Sequence, residues 1–552
     1  MGRVQRFVAR ANAQLSVQLA ATLLASSSLL SAVLGLFRDR LINAYYYGGS
    51  ISNYADAYTI AFMIPDFMFF VLVSGALSVS FIPVLNDRLQ TGNKKSAWEL
   101  STSLVNLLAI VTLIASVLMI IFADPLIGTI WGGLDEVGHG MAVSMMRVIA
   151  INPFLFAIAS VFASMQQAIG RFTFFALSPV IYNIGIITGL LFFTGGINVF
   201  GVQVFEGGIM GVALGVVLGS VLQLLVSAIG LIGLGFDYRF KIYWRNKGFR
   251  QVLRLLPARS LDQGIDYVNG IVESSLAANI GSGMVRAYNQ ANTLQMMPVT
   301  LIGVAISTAA FPQMTERLSQ GRPDLFRSEL QSILRVIVWL ALPIAAITFL
   351  AQDYLVSFLF PSGKDSAVVA VTLGILSIAI VFRSVYHIAS RSFYAQKDTR
   401  TPLYISLFTI SLNIVLAVVF TMQRNMGIYG LAWAQSIVAV VEVTILFAIM
   451  SLRIPHLFSA DFIKAVSRML MATSVMAVAT LIMLAFFGPV VPDEGFYMLF
   501  PKFGVVTFVS LVVYMFVGRS LELVEANQVW DKIRRTLKRI AFGQIGSKTG
   551  SR

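Results

Sequence analysis

The sequence predicts an all-α, polytopic membrane protein with about 14 transmembrane helices, organised as two six-helix repeats plus two C-terminal helices. Three observations lead there. Hydrophobic residues make up 57% of the 552 residues and charged residues only 12%, with a mean hydropathy of +0.80, whereas soluble domains carry roughly 25% charged residues. The apolar residues gather into runs of about 20, each enough to cross a hydrocarbon core roughly 30 Å thick. Basic residues collect in alternate connections between those runs, the asymmetry that membrane insertion leaves behind. Short alternating strands separated by turns, the mark of a barrel, are absent from the sequence.

The same composition narrows the chemistry. A net charge of +14 would suggest nucleic acid in a soluble protein, but here the charge sits in loops and tail, so no nucleic-acid partner is expected. The chain has no cysteine, which excludes disulfides, thiolate metal sites and a thiol nucleophile. His139, His387 and His456 are far apart in sequence and supply no obvious metal-ligand set. Arg3, Arg6 and Arg10 precede a full-length span without a small-residue cleavage site, so no cleavable signal is expected. Walker, G-x-S-x-G, H-E-x-x-H and dinucleotide motifs are missing. A transporter rather than an enzyme is predicted, driven by a gradient or by the substrate's own imbalance.

In chain order the apolar spans fall at 15–37, 55–83, 100–122, 141–166, 175–195, 207–234, 256–280, 285–312, 328–350, 366–393, 402–422, 427–451, 466–488 and 498–518. With a cytoplasmic N-terminus, about 30 basic residues lie inside and about 6 outside. The external loops then hold Asp124, Asp135, Glu136, Glu206, Asp353, Asp493 and Glu494. Both termini are therefore expected in the cytoplasm, in a multi-pass protein of the cytoplasmic membrane.

A basic connection at 236–255 separates residues 1–235 from 256–452, and the two halves repeat. Met63-Ile64-Pro65, Gly75 and Phe81-Ile82-Pro83 are answered by Met297-Pro298, Gly303 and Phe311-Pro312. Gly208–Ala213 (GIMGVA) is answered by Gly427–Ala432 (GIYGLA). Parallel repeats place a site near the midplane at their interface. Pro65, Gly75, Pro83, Pro298, Gly303 and Pro312 are candidate bending points, with tight helix packing as the competing reading. Residues 453–518 lie outside the repeat. The tail, 519–552, reads as a basic amphipathic helix with Leu521, Val524, Val529, Ile533, Leu537 and Ile540 near one face, suited to anionic membrane lipid.

Ionisable residues at membrane depth cost several kcal/mol unless they meet water or a partner, so each is a candidate site residue. The first half offers Arg38, Asp39, Arg40 and Asp56, with Asp66 and Arg147 deeper. The second offers Arg259, Asp262, Asp266, Glu273, Arg286, Arg335, Arg383, His387 and Glu442. Asp262 and Asp266 are one turn apart on a face shared with Arg259, and Arg383 and His387 are likewise one turn apart. Guanidinium groups in an aqueous cavity hold phosphate bidentately, while snorkelling or helix-to-helix salt bridges compete, most strongly for Arg40, Arg286 and Arg335 near predicted span ends. No metal or organic cofactor is expected. A monovalent coupling cation is left open, with Asp262, Asp266 and Glu273 as candidate carriers.

LGLFRD (Leu34–Asp39), ADAY (Ala55–Tyr58), GALSVSFIPVL (Gly75–Leu85) and FYAQKDTRTP (Phe393–Pro402) resemble the MurJ (MviN) family of the MOP exporter superfamily. The resemblance implies MATE-like lobes around a central cationic cavity and flipping of lipid II, an undecaprenyl-pyrophosphate-linked peptidoglycan precursor, by alternating access. It implies a lipid-tail groove at 453–518, cell-wall synthesis proteins as partners, and the bacterial inner membrane. By position, Arg38, Asp39 and Asp56 match the family's Arg-Asp and second-helix aspartate. The family's basic residues and Glu of helix two are replaced by Phe69-Phe70 and Ser74, its Ser-Arg by Ser31-Ala32, and a helix-eight arginine by Asn292-Thr293. Arg38, Arg259, Arg286 and Arg383 would then have to meet the pyrophosphate. The rivals are a MOP-type transporter of another lipid-linked glycan or small molecule, and a non-transporting membrane scaffold.

Overall fold

The computed structural model describes residues 17–48, 52–74, 77, 81–199, 202–357, 364–491 and 495–541. Among them the chain is helical apart from one antiparallel ribbon, β1 (Ile197–Val199) with β2 (Val202–Phe205), a small departure from the all-α expectation. It divides into two compact units, Met1–Arg286 and Ala287–Arg552.

The first unit holds α1 (Val17–Tyr46), α2 (Ser52–Phe69), α3 (Ile82–Gln90), α4 (Lys94–Ile121), α5 (Ala123–Ile130), α6 (Glu136–Ile149), α7 (Asn152–Ile169), α8 (Thr173–Thr188), α9 (Met210–Ile229) and α10 (Lys247–Ala278). Helix α11 (Met284–Val299) leads into the second, which holds α12 (Ala305–Ser319), α13 (Pro323–Leu350), α14 (Gln352–Ser357), α15 (Lys364–Ala395), α16 (Arg400–Val418), α17 (Ile428–Arg453), α18 (Ala460–Phe487), α19 (Phe496–Ser520) and α20 (Val524–Ala541). The division falls after α10, which carries the basic stretch 247–254 at its start. Asn246 caps α10 by accepting from the Gly248 and Phe249 amides, and Phe249 and Val252 are buried in the core of the first unit. That packing commits α10 to the first unit.

Among the described residues, twelve helices are long and apolar enough to cross a membrane; the chain is a multi-pass membrane protein, but the expected fourteen is not reached by this measure. The two predicted spans outside the twelve lie on α1 and α10, of 30 and 32 residues. They have the length to cross. In α10 uniform apolarity is lacking, because it carries Arg259, Asp262, Asp266 and Glu273, whereas on α1 the charged residues Arg38, Asp39 and Arg40 follow an uncharged apolar run from Val17 to Leu34.

Local structure repeats in the two halves. Among the described residues, short π-helical turns interrupt the helices at Phe70–Ser74 and Thr300–Val304, and again at Gly189–Phe193 and Val419–Gln423. Phe70 to Thr300 and Gly189 to Val419 are both 230 residues. Gly170 and Lys397, 227 residues apart, are each left-handed residues that end a helix. In each case the next amide reaches back five residues, Arg171 to Gln166 O at 2.9 Å and Asp398 to Phe393 O at 3.0 Å. Gly211 and Gly430 repeat a close approach. A Cβ on Gly211 would lie 2.6 Å from Phe193 C, and one on Gly430 2.8 Å from Phe420 C. Side chains larger than hydrogen do not fit at either turn.

Close backbone contact also joins α8 to α9. A Cβ on Gly185 would sit 2.3 Å from Gly219 Cα, and one on Gly189 2.2 Å from Gly215 Cα. In lipid, where apolar side chains gain little by associating, such small-residue seams let helices approach and gain dispersion energy. In the second unit, α18 and α19 pack through Met469, Met476 and Tyr514 onto Trp339 of α13, with Tyr514 Oη donating to Trp339 O at 2.9 Å. Their apolar windows are only 22% and 17% buried, the lowest values with that of Arg400–Gln423, so most of their surface faces outward. Helix α20 is tied back by a bidentate pair from Arg335 to Glu525, at 2.7 and 3.2 Å. Leu523 and Ala526 make its core contact, while Val524, expected on the apolar face, is exposed.

The FYAQKDTRTP segment is a structural staple. Asp398 accepts from the Arg400 and Thr401 amides, both at 3.0 Å, and from Thr401 Oγ1 at 2.6 Å. It also pairs with Arg453 at 2.7 Å, whose guanidinium lies 5.0 Å from the Phe393 ring centre. Burial works against the Asp398 charge, but the Thr401 hydrogen bonds and Arg453 outweigh it and hold the carboxyl at about 2.

Two expected outcomes follow from these contacts. Gly189→Ala should destabilise the purified protein by about 1–3 kcal/mol or more, read as a fall in melting temperature, whereas Gly140→Ala, with open space around it, should not. Because the folded Asp398 pKa lies below its ordinary value, its contribution is present above that value and is lost as pH falls toward about 2. The melting-temperature gap between wild type and Asp398→Asn should accordingly be full at pH 6 and shrink below pH ~4.

Candidate functional site

The Arg-Asp pair near the end of α1 is the start of a buried polar cluster in the first unit. Helical spacing puts Asp39 and Asn43 on one face of α1, a turn apart. Both are buried, Asn43 completely. Arg286, 2% exposed, answers them: Nε donates to Asn43 Oδ1 at 2.9 Å and Nη2 to Asp39 Oδ1 at 3.4 Å. Arg38 reaches the same Asp39 oxygen at 3.2 Å and donates through Nη1 to Asn183 Oδ1 of α8 at 3.1 Å. Asn183 is held in turn, its Nδ2 donating to Ser31 Oγ at 3.1 Å and to Pro179 O at 3.1 Å. The Arg38 side chain keeps 21% of its surface and that of Arg286 only 3%. Arg38 can meet a ligand; Arg286 is enclosed.

Asp56 does a different job. Its Oδ2 accepts from the Gly283 amide at 2.6 Å and its Oδ1 from the Arg286 amide at 2.7 Å. These are orphan donors at the start of α11, so a carboxylate from α2 caps another helix and meets the positive end of its dipole. Gly283 has φ +81°, and a Cβ there would press on Ser52 at 3.0 Å, which fixes how closely the two helix starts approach. The Arg286 guanidinium stands 5.8 Å from the Tyr58 ring centre, one half-turn from Asp56 on α2. The sequence singled out Arg38, Asp39, Asp56 and Arg286 separately, and the structure joins them. Asn43 and Asn183 were missed; an amide within an apolar run was the available signal.

The remaining candidates scatter. Arg259, Asp262 and Asp266 fall on α10, but their side chains lie outside the described residues. Glu273, also on α10, is buried and accepts from Asn269 at 3.1 Å. In the second unit, Arg383, His387 and Arg391 form an i, i+4, i+8 row on α15. Arg391 donates to Thr308 Oγ1 and Val304 O, while Arg383 Nε is buried without a hydrogen-bond partner. Glu442 accepts from Ser406 at 3.1 Å and Thr409 at 3.2 Å, a link between α16 and α17. Of the bending candidates, Pro65, Pro298 and Pro312 lie inside helices and Pro83 opens α3. Pro65 and Pro298 each precede a π-helical turn, where the missing proline N–H loosens the ladder. Gly303 is a packing position, since a Cβ would lie 2.6 Å from Ser384 Cα. Gly75 lies outside the described residues. Among the described residues no group of His, Asp or Glu is arranged to hold a metal ion.

The cluster separates support from ligand contact. Arg286→Ala removes one cation from Asp39 and the bond that Arg286 Nε gives Asn43, and should cost on the order of 3–5 kcal/mol. Asp56→Ala removes two capping bonds and should cost about 1–2 kcal/mol. Arg38→Ala, at the exposed edge, should cost less. Thermal melts of the three purified variants check that order.

Comparison with known proteins places this architecture. The chain matches the family model described as "Lipid II flippase MurJ" over residues 44–500. The "Probable lipid II flippase MurJ" of Borreliella burgdorferi (strain ATCC 35210 / DSM 4680 / CIP 102532 / B31) is 24% identical over 429 residues, covering 77% of this chain and 81% of that protein. The "Lipid II flippase MurJ" of Burkholderia cenocepacia (strain ATCC BAA-245 / DSM 16553 / LMG 16656 / NCTC 13227 / J2315 / CF5610) is 27% identical over 394 residues, covering 69% and 73%. Among solved structures, "Lipid II flippase MurJ, inward closed conformation" aligns with a TM-score of 0.70 at 23% identity, over 91% of this chain and 99% of that one. An inward-facing multidrug resistance MATE family transporter of the MOP superfamily aligns at 0.66 and 17% identity, over 78% and 96%. The structural likenesses give the fold, and the family match across residues 44–500 gives the rest: this chain belongs to the lipid II flippase MurJ family.

Proposed function

We propose that this chain translocates lipid II across the bacterial cytoplasmic membrane by alternating access, without covalent chemistry on its substrate. The observation that carries the reading is the family match over residues 44–500. The chemistry of the two units supports it. A pyrophosphate headgroup needs guanidinium groups with unspent donors. Arg38 keeps exposed surface in the first unit, and Arg383 keeps an unpartnered Nε above His387 and Arg391 in the second. Arg286 and Asp56 serve as supports for Arg38 and Asp39 rather than as ligands of the substrate. The outward-facing surfaces of α18 and α19 suit a lipid tail. The distribution of basic loops supports cytoplasmic termini.

A second reading is a MOP-type transporter of another lipid-linked glycan or small molecule. It is favoured by Phe69 and Phe70, at positions where the resemblance implies basic residues.

The test is complementation of a conditionally flippase-depleted bacterium, with externally accessible lipid II as the readout at matched membrane expression. Wild type should rescue, and Arg38→Ala and Arg383→Ala should each lower accessible lipid II by roughly tenfold or more, as loss of a charged hydrogen bond predicts. Correct insertion without rescue, together with no lipid II binding by the purified protein, would overturn the reading in favour of the second.

A further inference from the structure

Asp66 is the ionisable residue that the cluster around Arg38 leaves unused. It lies within the apolar span Ser52–Val73, directly after Pro65. It is half-buried and has no hydrogen bond or ion pair among the described residues. A carboxylate at that depth costs several kcal/mol unless water or a cation meets it. Capping does not account for it, because α2 runs unbroken through Pro65 to Phe69.

Its surroundings are aromatic. Helical spacing sets Phe62 one turn before Asp66 and Phe69 and Phe70 one turn after it, on the same side of α2. Phe70 stacks on Tyr267 of α10 at 4.6 Å between ring centres. Phe69 packs edge-on against Phe156 of α7 at 5.7 Å, and Phe156 against Tyr182 of α8 at 5.3 Å. Tyr58, Tyr182 and Tyr267, from three helices, all lie within electrostatic reach of Asp66. A π-helical turn begins at Phe70, and such bulges concentrate at functional sites because they re-aim side chains.

An unspent carboxylate among aromatic side chains from several helices can recognise an organic cation, through charge and through the ring quadrupoles together. We infer that Asp66, with Phe69, Phe70, Tyr182 and Tyr267, forms a binding site for a monovalent ammonium-type cation. The ammonium group can arrive on the substrate, as an ionised amine of its peptide, or as a free cation that couples transport. The first source rests on the lipid II reading; the second does not.

The experiment uses the full-length purified protein. Saturation-transfer NMR with tetramethylammonium chloride should show saturable binding to wild type. Asp66→Asn should weaken it at least tenfold and Phe70→Leu several-fold, with melting temperatures close to wild type. Proteoliposomes then separate the sources, using lipid II with a free peptide amine against the same lipid with that amine acetylated. A preference for the free amine that disappears in Asp66→Asn assigns the cation to the substrate. No amine preference, with flipping that depends on added monovalent cation only when Asp66 is present, assigns it to a free ion. Wild type that binds tetramethylammonium but flips neither lipid sinks the lipid II reading and keeps the site. Equal tetramethylammonium binding by wild type and both variants, or none by any of them, overturns the inference.

Discussion

Two backbone amides, of Gly283 and Arg286, end on one carboxylate, Asp56, and much of the first unit's polar interior depends on that junction. In a hydrocarbon surround, a helix start cannot leave its donors to water, so an acceptor has to be brought from another helix. Asp56 supplies it. Once the Arg286 amide is fixed there, its side chain can reach only a short distance, and Asn43 and Asp39 stand within it. Arg38 then shares Asp39 and leans on Asn183. Removing an inner member takes a partner from a buried charge, whereas Arg38, the outermost, keeps 21% of its side-chain surface.

The repeat has a physical basis beyond similar letters. The π-helical turns recur 230 residues apart, after α2 and α8 in the first half and after α11 and α16 in the second. Two of them follow prolines, whose missing N–H makes an i→i+5 pattern cheap. The other two abut glycines, Gly211 and Gly430, that admit the widened turn against a neighbouring backbone. The left-handed positions that end α7 and α15 are equivalent in place but filled by Gly170 and Lys397. At Lys397 the strain is offset by the Asp398 network that follows it.

Hydropathy and charge made the helical class and the approximate spans legible, and Arg38, Asp39 and Asp56 stood out because charges in apolar runs are conspicuous. Their roles were less legible. Asp56 reads as a site residue until its partner helix, more than two hundred residues away in sequence, is placed against it. Arg286 reads as a snorkelling residue because it lies at a span end, yet it is buried, with its guanidinium against Asn43, Asp39 and the Tyr58 ring. Asn43 and Asn183 are neutral, so an amide within an apolar run was the one faint signal of their contribution. The assignment of α10 to the first unit was hidden for a similar reason: its basic N-terminal stretch resembles a linker, while its commitment rests on two apolar residues, Phe249 and Val252.

Phe69 and Phe70 belong to the same feature as Asp66, because they fill the positions one turn beyond it where a basic residue could meet its charge. Basic residues at those positions would stand one turn from Asp66 on the same side of α2. They would pair with its carboxylate and spend its charge within the helix. With two phenylalanines there instead, the carboxylate stays unpaired and gains π-faces beside it. The first unit thus holds a guanidinium at Arg38 and a carboxylate at Asp66, with α8 contributing Asn183 to the one and Tyr182 to the surroundings of the other. A zwitterionic or peptide-bearing lipid presents both signs of charge on one molecule. A surface that offers both can hold such a headgroup in a single orientation, which a uniformly basic cavity cannot do.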